Sequence, residues 1–340
     1  MSRGAPPSPR RPFAGKVTLV TGGNAGVGYE FAAAMARGGA TVVLACRNRT
    51  RGSAAVEALR REVATVAAAT ADIPLQGTTG GGGDGGGDGG GEGGGEGTVE
   101  LLDLDTSDLE SVATCAGAFT ARHGRLDILM NNAGGMMLPW SLTRDGVEVT
   151  TATNFLGHFA LTGRLWPLLA ATPGARVVNV SSMVHVLATG KLDWEDMTLG
   201  GPRRHSGWAY VRSKLFNMLF TAELARRVAA ADAAARPPCP PPPAPGFART
   251  ELVAKAQVNG WTNFCRATWG WASQSATDGA ACLLAAATAS WVSPATYVSP
   301  LWGGIRGRPS RGVPSLAARS VEDGGRLWAW AESVSGVRFL

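Results

Sequence analysis

Short apolar runs at 17–20, 41–45, 99–104, 127–130, 176–180 and 296–298 alternate along the chain with longer stretches at 29–37, 50–65, 107–123, 146–171, 209–230 and 273–289 that read as helices. A short strand that is apolar along its whole length has both faces covered, and strands separated by helices return to the sheet in parallel. The alternation predicts an α/β fold, a doubly wound parallel sheet of Rossmann type. One domain over 16–336 accounts for all of it, behind a disordered leader at 1–15.

Two low-complexity segments interrupt the alternation. The first, 77–97, is almost entirely Gly with Asp and Glu, has nothing to bury, and is expected to be a flexible surface insertion ahead of the third strand. Such a loop is tolerable because closure entropy grows only logarithmically with length. The second, 236–245, is Pro-rich and falls where a sixth strand belongs. Pro237, Pro238 and Pro240 to Pro243 have no N–H to donate to a ladder, so that strand is expected to be defective or missing, replaced by extended polyproline-like chain.

The first strand runs into Thr21-Gly22-Gly23-Asn24-Ala25-Gly26-Val27-Gly28 and then into a helix. A strand that turns on glycines into a helix N-terminus makes an anion site, because unpaired N–H groups and the helix dipole point at one spot and no Cβ blocks a pyrophosphate. The spacing is TGxxxGxG rather than GxGxxG, and a plain glycine turn is the competing reading. On the nucleotide reading, Thr21, Gly22, Asn24, Gly26, Val27 and Gly28 are the candidate contacts.

Composition narrows the class. A hydrophobic fraction of 45% in 340 residues supports a substantial core. Cys46, Cys115, Cys239, Cys265 and Cys282 form no CxxC pair, which fits free thiols in a reducing compartment, and the four histidines show no metal-ligand spacing. No apolar run approaches the roughly 18 residues that span a bilayer, so a soluble, cytoplasmic protein is expected. The Arg-, Ser- and Pro-rich start also leaves room for a chloroplast or another organelle. The net charge of +6 suits phosphate-bearing ligands, yet the basic residues are scattered and nucleic acid is not indicated.

Arg47 follows the second strand, where the adenosine ribose of a dinucleotide lies in such sheets. An acid there binds a free 2′-hydroxyl; position 46 is Cys, and an arginine suits a 2′-phosphate, favouring NADP(H) over NAD(H). A solvated loop arginine is the alternative. Asp105, with Asp103 as fallback, is placed either to bind the adenine amino group or to cap the following helix. Asn131-Asn132-Ala133-Gly134 ends the fourth strand at the carboxyl edge of the sheet, where small residues let a cofactor approach the backbone; Asn131, Ala133 and Gly134 are the candidate contacts, and a simple turn is the alternative.

Tyr210 and Lys214 stand four apart on one helix face, and a cation near a phenol eases loss of its proton, so the pair can move a proton near neutral pH. A core tyrosine beside a solvated lysine is the bland reading. Ser182 ends the fifth strand at the same edge, and Asn154, a poor helix former, sits inside the long preceding helix.

In this order along alternating strands and helices, the glycine loop, Asn131 to Gly134, Asn154, Ser182, Tyr210 with Lys214, and Pro245-Gly246 followed by Thr250 resemble the short-chain dehydrogenase/reductase family. Leu44 to Asn48, Gly157-His158-Phe159 and Ser213 to Asn217 carry a narrower similarity to its retinol-dehydrogenase-like branch. The resemblance implies a catalytic tetrad. Tyr210 is the acid in carbonyl reduction or the base in alcohol oxidation, and Lys214 lowers its pKa and holds the nicotinamide ribose. Ser182 steadies the substrate oxygen, and Asn154 holds a water in the proton relay. It also implies that Pro245, Gly246 and Thr250 help seat the nicotinamide.

The expected function is NADP(H)-dependent interconversion of a carbonyl and an alcohol on a fairly apolar small molecule. Phe247, Trp261, Phe264, Trp269 and Trp271 lie where this family builds its substrate lid, although they also suit a core cover or a contact within a homo-oligomer. The alternative is an NADP(H)-binding regulatory or scaffold protein with little turnover, which the broken sixth strand favours and the intact tetrad opposes.

Overall fold

The computed structural model describes residues 11–71, 97–188, 192–199, 206–235, 247–249, 275–302 and 306–340. The chain runs β1 (Val17–Thr21), α1 (Gly26–Arg37), β2 (Thr41–Cys46), α2 (Arg49–Ala71), β3 (Val99–Asp103), α3 (Leu109–Thr120) and β4 (Ile128–Asn131). There follow α4 (Val149–Thr151), a π-helical stretch (Ala152–Leu156), α5 (Gly157–Arg164), α6 (Trp166–Ala171), β5 (Arg176–Ser181) and a 3-10 turn (Met183–Leu187). Among the described residues there follow α7 (Ser206–Ala235), β6 (Phe247–Arg249), α8 (Ala276–Thr288), β7 (Tyr297–Trp302), β8 (Arg306–Arg311), a second 3-10 turn (Ala317–Arg319) and α9 (Val321–Ser335).

The strands form one sheet in the order β3-β2-β1-β4-β5-β6-β7-β8, parallel through β7, with β8 antiparallel at the edge. The order reverses between β1 and β4, so their carboxyl ends flank the switch point at which open α/β sheets bind ligands. Two apolar layers cover the faces. One includes Phe31, Met35, Leu59, Leu283 and Val298, and packs α1, α2 and α8 against the sheet. The other holds α3, α5, α7 and α9 through an aromatic cluster in which Phe159 lies 5.4 Å from Phe220 and 5.1 Å from Trp328 between ring centres. Because α5 and α7 also carry site residues, this cluster sets their mutual position.

The helix expected over 146–171 is interrupted. Glu148 caps α4, its carboxylate accepting from Thr150 N and Thr151 N at 2.8 Å each. The π-helical stretch follows, and Pro167 at the start of α6 separates that helix from α5. Gly157 is a packing requirement here, since a Cβ on it would lie 2.0 Å from the Thr106 carbonyl oxygen.

The sixth strand, expected to be defective or missing, is present as the three residues Phe247–Arg249, pairing with β5 and β7. It starts beyond the last proline of the Pro-rich segment, where each residue again has an N–H to donate. Residues 236–245 and most of 77–97 lie outside the described residues. Among the described strands and α-helices, β8 and α9 are not foreshadowed by the pattern of the chain. β8 has the polar sequence RGRPSR and is a strand through its pairing with β7. α9 opens on Ser320, whose hydroxyl accepts from Asp323 N at 3.1 Å, and closes on Gly336 at φ +66°.

Candidate active site

At the switch point, β1 turns on Gly22 (φ +66°) and Gly26 (φ +62°) into α1. A side chain at Gly22 would come within 2.9 Å of Ala133 Cα, and one at Gly28 within 2.4 Å of Asn132 Nδ2, so the loop closes directly onto the end of β4. Ala25, the N-cap of α1, supplies no side-chain hydrogen bond, which leaves the first N–H groups of that helix uncapped by a side chain. Asn24 and Val27 are half-buried beside them. A glycine cradle and an uncapped helix start fit a pyrophosphate.

Thr21 welds this loop to β4. Its hydroxyl oxygen accepts from Asn132 N at 2.9 Å and Ala133 N at 2.8 Å, while Asn132 Nδ2 donates to Thr21 O at 2.9 Å. Asn131, expected among the cofactor contacts, turns its side chain toward Asn179 and Thr162. Its amide nitrogen donates to Asn179 Oδ1 at 2.7 Å and Thr162 Oγ1 at 3.1 Å, its Oδ1 has no hydrogen-bond partner among the described residues, and the residue is 1% exposed. Successive strand residues face opposite sides of the sheet, so the side chain of Asn131 lies in the interior. Asn179 continues that polar line to Thr221 on α7.

Arg47 follows β2 with its side chain 73% exposed, and a guanidinium nitrogen lies 3.8 Å from Asp105 Oδ2. Asp105 Oδ1 accepts from Ser107 N at 2.9 Å and Ser107 Oγ at 2.6 Å. The helix-capping alternative for Asp105 falls to Asp108, whose carboxylate accepts from Glu110 N. Asp103 is paired with Arg49.

The four residues expected to form a tetrad, Asn154, Ser182, Tyr210 and Lys214, lie about the carboxyl ends of β4 and β5. Lys214 is 1% exposed, and its ammonium donates to Val180 O at 2.9 Å and lies 5.7 Å from the Tyr210 ring centre. Burial pushes this ammonium down to a pKa of about 8. Tyr210 is 5% exposed and Ser182 4%. Ser182 begins the 3-10 turn, its hydroxyl accepting from Val184 N at 3.5 Å. The Asn154 side chain is fully engaged: Oδ1 accepts from Gly135 N at 2.8 Å, and Nδ2 donates to Gly135 O at 3.0 Å and Ser213 Oγ at 2.9 Å. A Cβ on Gly134 would lie 3.1 Å from Asn154 Oδ1, a tight contact on the same side chain.

Three residues without an assigned role complete the arrangement. Asn217, one turn beyond Lys214, donates to the same Val180 O at 2.9 Å, and Ser213 Oγ donates to Tyr210 O at 2.8 Å. His158 bridges Thr21 and Asn154. Helical spacing from Tyr210 and Asn154 was the available signal for all three. Pro245, Gly246, Thr250 and the aromatics Trp261, Phe264, Trp269 and Trp271 lie outside the described residues.

Among the described residues no helix is long and apolar enough to cross a membrane. A family model described as short chain dehydrogenase matches residues 16–78 and 92–191. Mouse retinol dehydrogenase 12 is 38% identical over 214 residues, 63% of this chain and 57% of that protein. Human retinol dehydrogenase 13 is 30% identical over 337 residues, 98% of this chain and 88% of its own length. The matched segment thus spans little more than half of the mouse protein and most of the human one. The crystal structure of an uncharacterized protein from Mycobacterium Paratuberculosis superposes with a TM-score of 0.70 at 32% identity, covering 96% of both chains. The chain belongs to the short-chain dehydrogenase/reductase family, in its retinol-dehydrogenase-like branch, a family of oxidoreductases that bind a nicotinamide cofactor.

Proposed function

We propose that the protein is an NADP(H)-dependent oxidoreductase that interconverts a carbonyl and an alcohol on a fairly apolar small molecule. The observation that carries this reading is the buried Lys214 ammonium, held by Val180 O one helical turn from the nearly buried Tyr210. A lysine taken out of water in this way costs stability, and a role at the Tyr210 hydroxyl gives that burial a purpose.

The glycine loop and the start of α1 would hold the pyrophosphate, and exposed Arg47 would bind a 2′-phosphate bidentately. When bound, the nicotinamide supplies or accepts the hydride. In reduction, the Tyr210 hydroxyl donates a proton to the substrate oxygen, which Ser182 steadies. The Lys214 cation favours the phenolate left behind and orients the ribose. Asn154, clamped between Gly135 and Ser213, would hold a water that returns a proton to the pair through its main-chain carbonyl, which also accepts from His158 Nδ1.

The test is turnover of purified protein with NADPH, and separately NADH, on retinals, steroid ketones, medium-chain aldehydes and quinones. Reduction of an apolar carbonyl with NADPH supports the reading. Tight NADPH binding without turnover across the panel overturns it in favour of a nucleotide-binding regulatory protein.

A further inference from the structure

His158 is 2% exposed on α5, one turn after Asn154. Its Nδ1 lies 3.1 Å from Asn154 O and its Nε2 3.0 Å from Thr21 Oγ1. These contacts fix the protons. A main-chain carbonyl only accepts, so Nδ1 carries the hydrogen and donates to Asn154 O. The Thr21 oxygen already accepts from two backbone N–H groups, at 2.9 and 2.8 Å, so its own hydrogen points to Nε2, the nearer acceptor, with Met130 O at 3.3 Å as the other. Such a ring must be neutral. Burial and the nearby Lys214 cation, against the Asn154 carbonyl, push its pKa down to about 4.

We infer that His158 is a positioning residue whose two ring nitrogens tie the Thr21 hydroxyl to the Asn154 main-chain carbonyl, so that the cofactor loop and the proton relay move as one piece. The Asn154 side chain is spent on Gly135 and Ser213, so the proposed relay water falls to its main-chain oxygen, which His158 Nδ1 also engages. That oxygen lies in the π-helical stretch, where the backbone repeat is altered and Gly157 N donates five residues back to Ala152 O. The imidazole therefore holds the carbonyl in place from one side. On its other side it holds the hydroxyl that joins β1 to Asn132 and Ala133. The position of the glycine loop is thereby linked to that of the relay carbonyl through a single rigid ring.

The inference rests on the proposed roles of Asn154, Tyr210 and Lys214, and its test separates the two. Three variants divide the ring's contacts. His158→Asn places an amide near Nδ1 and keeps the bond to Asn154 O; His158→Gln places one near Nε2 and keeps the bond to Thr21; His158→Leu keeps neither. NADPH dissociation constants, kcat for a reducible aldehyde, and melting temperature are measured for each, with kinetics taken well below every melting point. Loss of one neutral hydrogen bond corresponds to about 2- to 12-fold. His158→Asn is expected to weaken NADPH by that factor with kcat nearly unchanged at saturation, and His158→Gln to show the reverse. His158→Leu should show both losses.

Equal kcat and NADPH affinity in folded His158→Leu and the unmodified protein would overturn the inference, as would Asn and Gln variants indistinguishable from Leu. If the protein reduces nothing, the proposed function fails while the tie is still judged by nitrogen-15 NMR of the cofactor-free protein. The His158 signal, identified by its loss in His158→Gln, should report an Nδ1-protonated neutral ring down to about pH 5. An Nε2-protonated ring, or titration near the ordinary value of about 6.5, refutes the tie.

Discussion

The Lys214 ammonium and the Val180 carbonyl oxygen meet at 2.9 Å, joining the middle of α7 to the end of β5, and Asn217 donates to the same oxygen. A main-chain acceptor neutralises none of the charge. The lysine therefore remains a desolvated cation, and it is set beside Tyr210 by the same aromatic packing that holds α5, α7 and α9 together.

Replacing the cation should stabilise the fold. With its pKa depressed from 10.5 to about 8, the buried lysine costs on the order of 3 kcal/mol at neutral pH, less what its bond to Val180 O returns. The sign follows from proton counting. Between about 8 and 10.5 the unfolded chain binds the proton and the folded one does not, so stability rises with pH across that window, and the cost is full below it. Lys214→Met is expected to raise the melting temperature at pH 7, at about 2 to 4 °C per kcal/mol, to lose that advantage by pH 10.5, and to abolish turnover. A lower melting temperature at pH 7 would contradict the account.

Tyr210→Phe removes only a hydroxyl from the ring, so NADPH affinity should hold within about 3-fold while kcat falls by ~10²- to 10⁴-fold. Steady-state kinetics beside a fluorescence titration of NADPH decides it. Retained turnover would remove Tyr210 from the chemistry.

Arg47 is mostly exposed, and its contact to Asp105, at 3.8 Å, is too long and too wet to hold it against a phosphate. Arg47→Ala is expected to weaken NADPH by roughly 10- to 150-fold and to leave NADH nearly unchanged. Isothermal titration with both nucleotides tests this, and equal affinity of the unmodified protein for the two would show the selectivity assignment to be wrong.

Gly157→Ala would push a methyl group to 2.0 Å from the Thr106 carbonyl oxygen. Both sides of that contact are backbone, so α5 or the loop after β3 must shift. A destabilisation of about 2 kcal/mol or more is expected by denaturant titration, with weakened turnover because α5 carries His158 and follows directly on Asn154. A change below about 0.5 kcal/mol would show that the two segments separate freely.

Residues 77–97 offer nothing apolar to bury. Replacing 77–96 with a short turn between α2 and β3, and keeping Gly97, where a Cβ would lie 2.3 Å from Ala36 O, should leave melting temperature and NADPH affinity nearly unchanged. A large loss of either would assign the acidic glycine tract a role.

The parallel sheet, the glycine turn into α1, and the order of Asn154, Ser182, Tyr210 and Lys214 were all legible in the chain, because they rest on local causes. Continuous apolar runs, positive φ at Gly22 and Gly26, and the four-residue spacing of Tyr210 and Lys214 need no knowledge of distant partners. What required the fold was the choice of partner. Asn131 and Asn132 look alike in sequence, but pleating turns the first toward Asn179 and Thr162 and the second toward Thr21, and neither neighbour is defined until β1, β4 and β5 lie side by side. β6 and β8 are strands because β5 and β7 offer free ladder groups to segments with little strand signal of their own. His158 belongs to the Gly157-His158-Phe159 similarity within a helical stretch, which names no partner for its ring. Only the approach of Thr21 from a strand 137 positions away gives its second nitrogen a partner, and packing of α5 beside β1 and β4 is what brings them together.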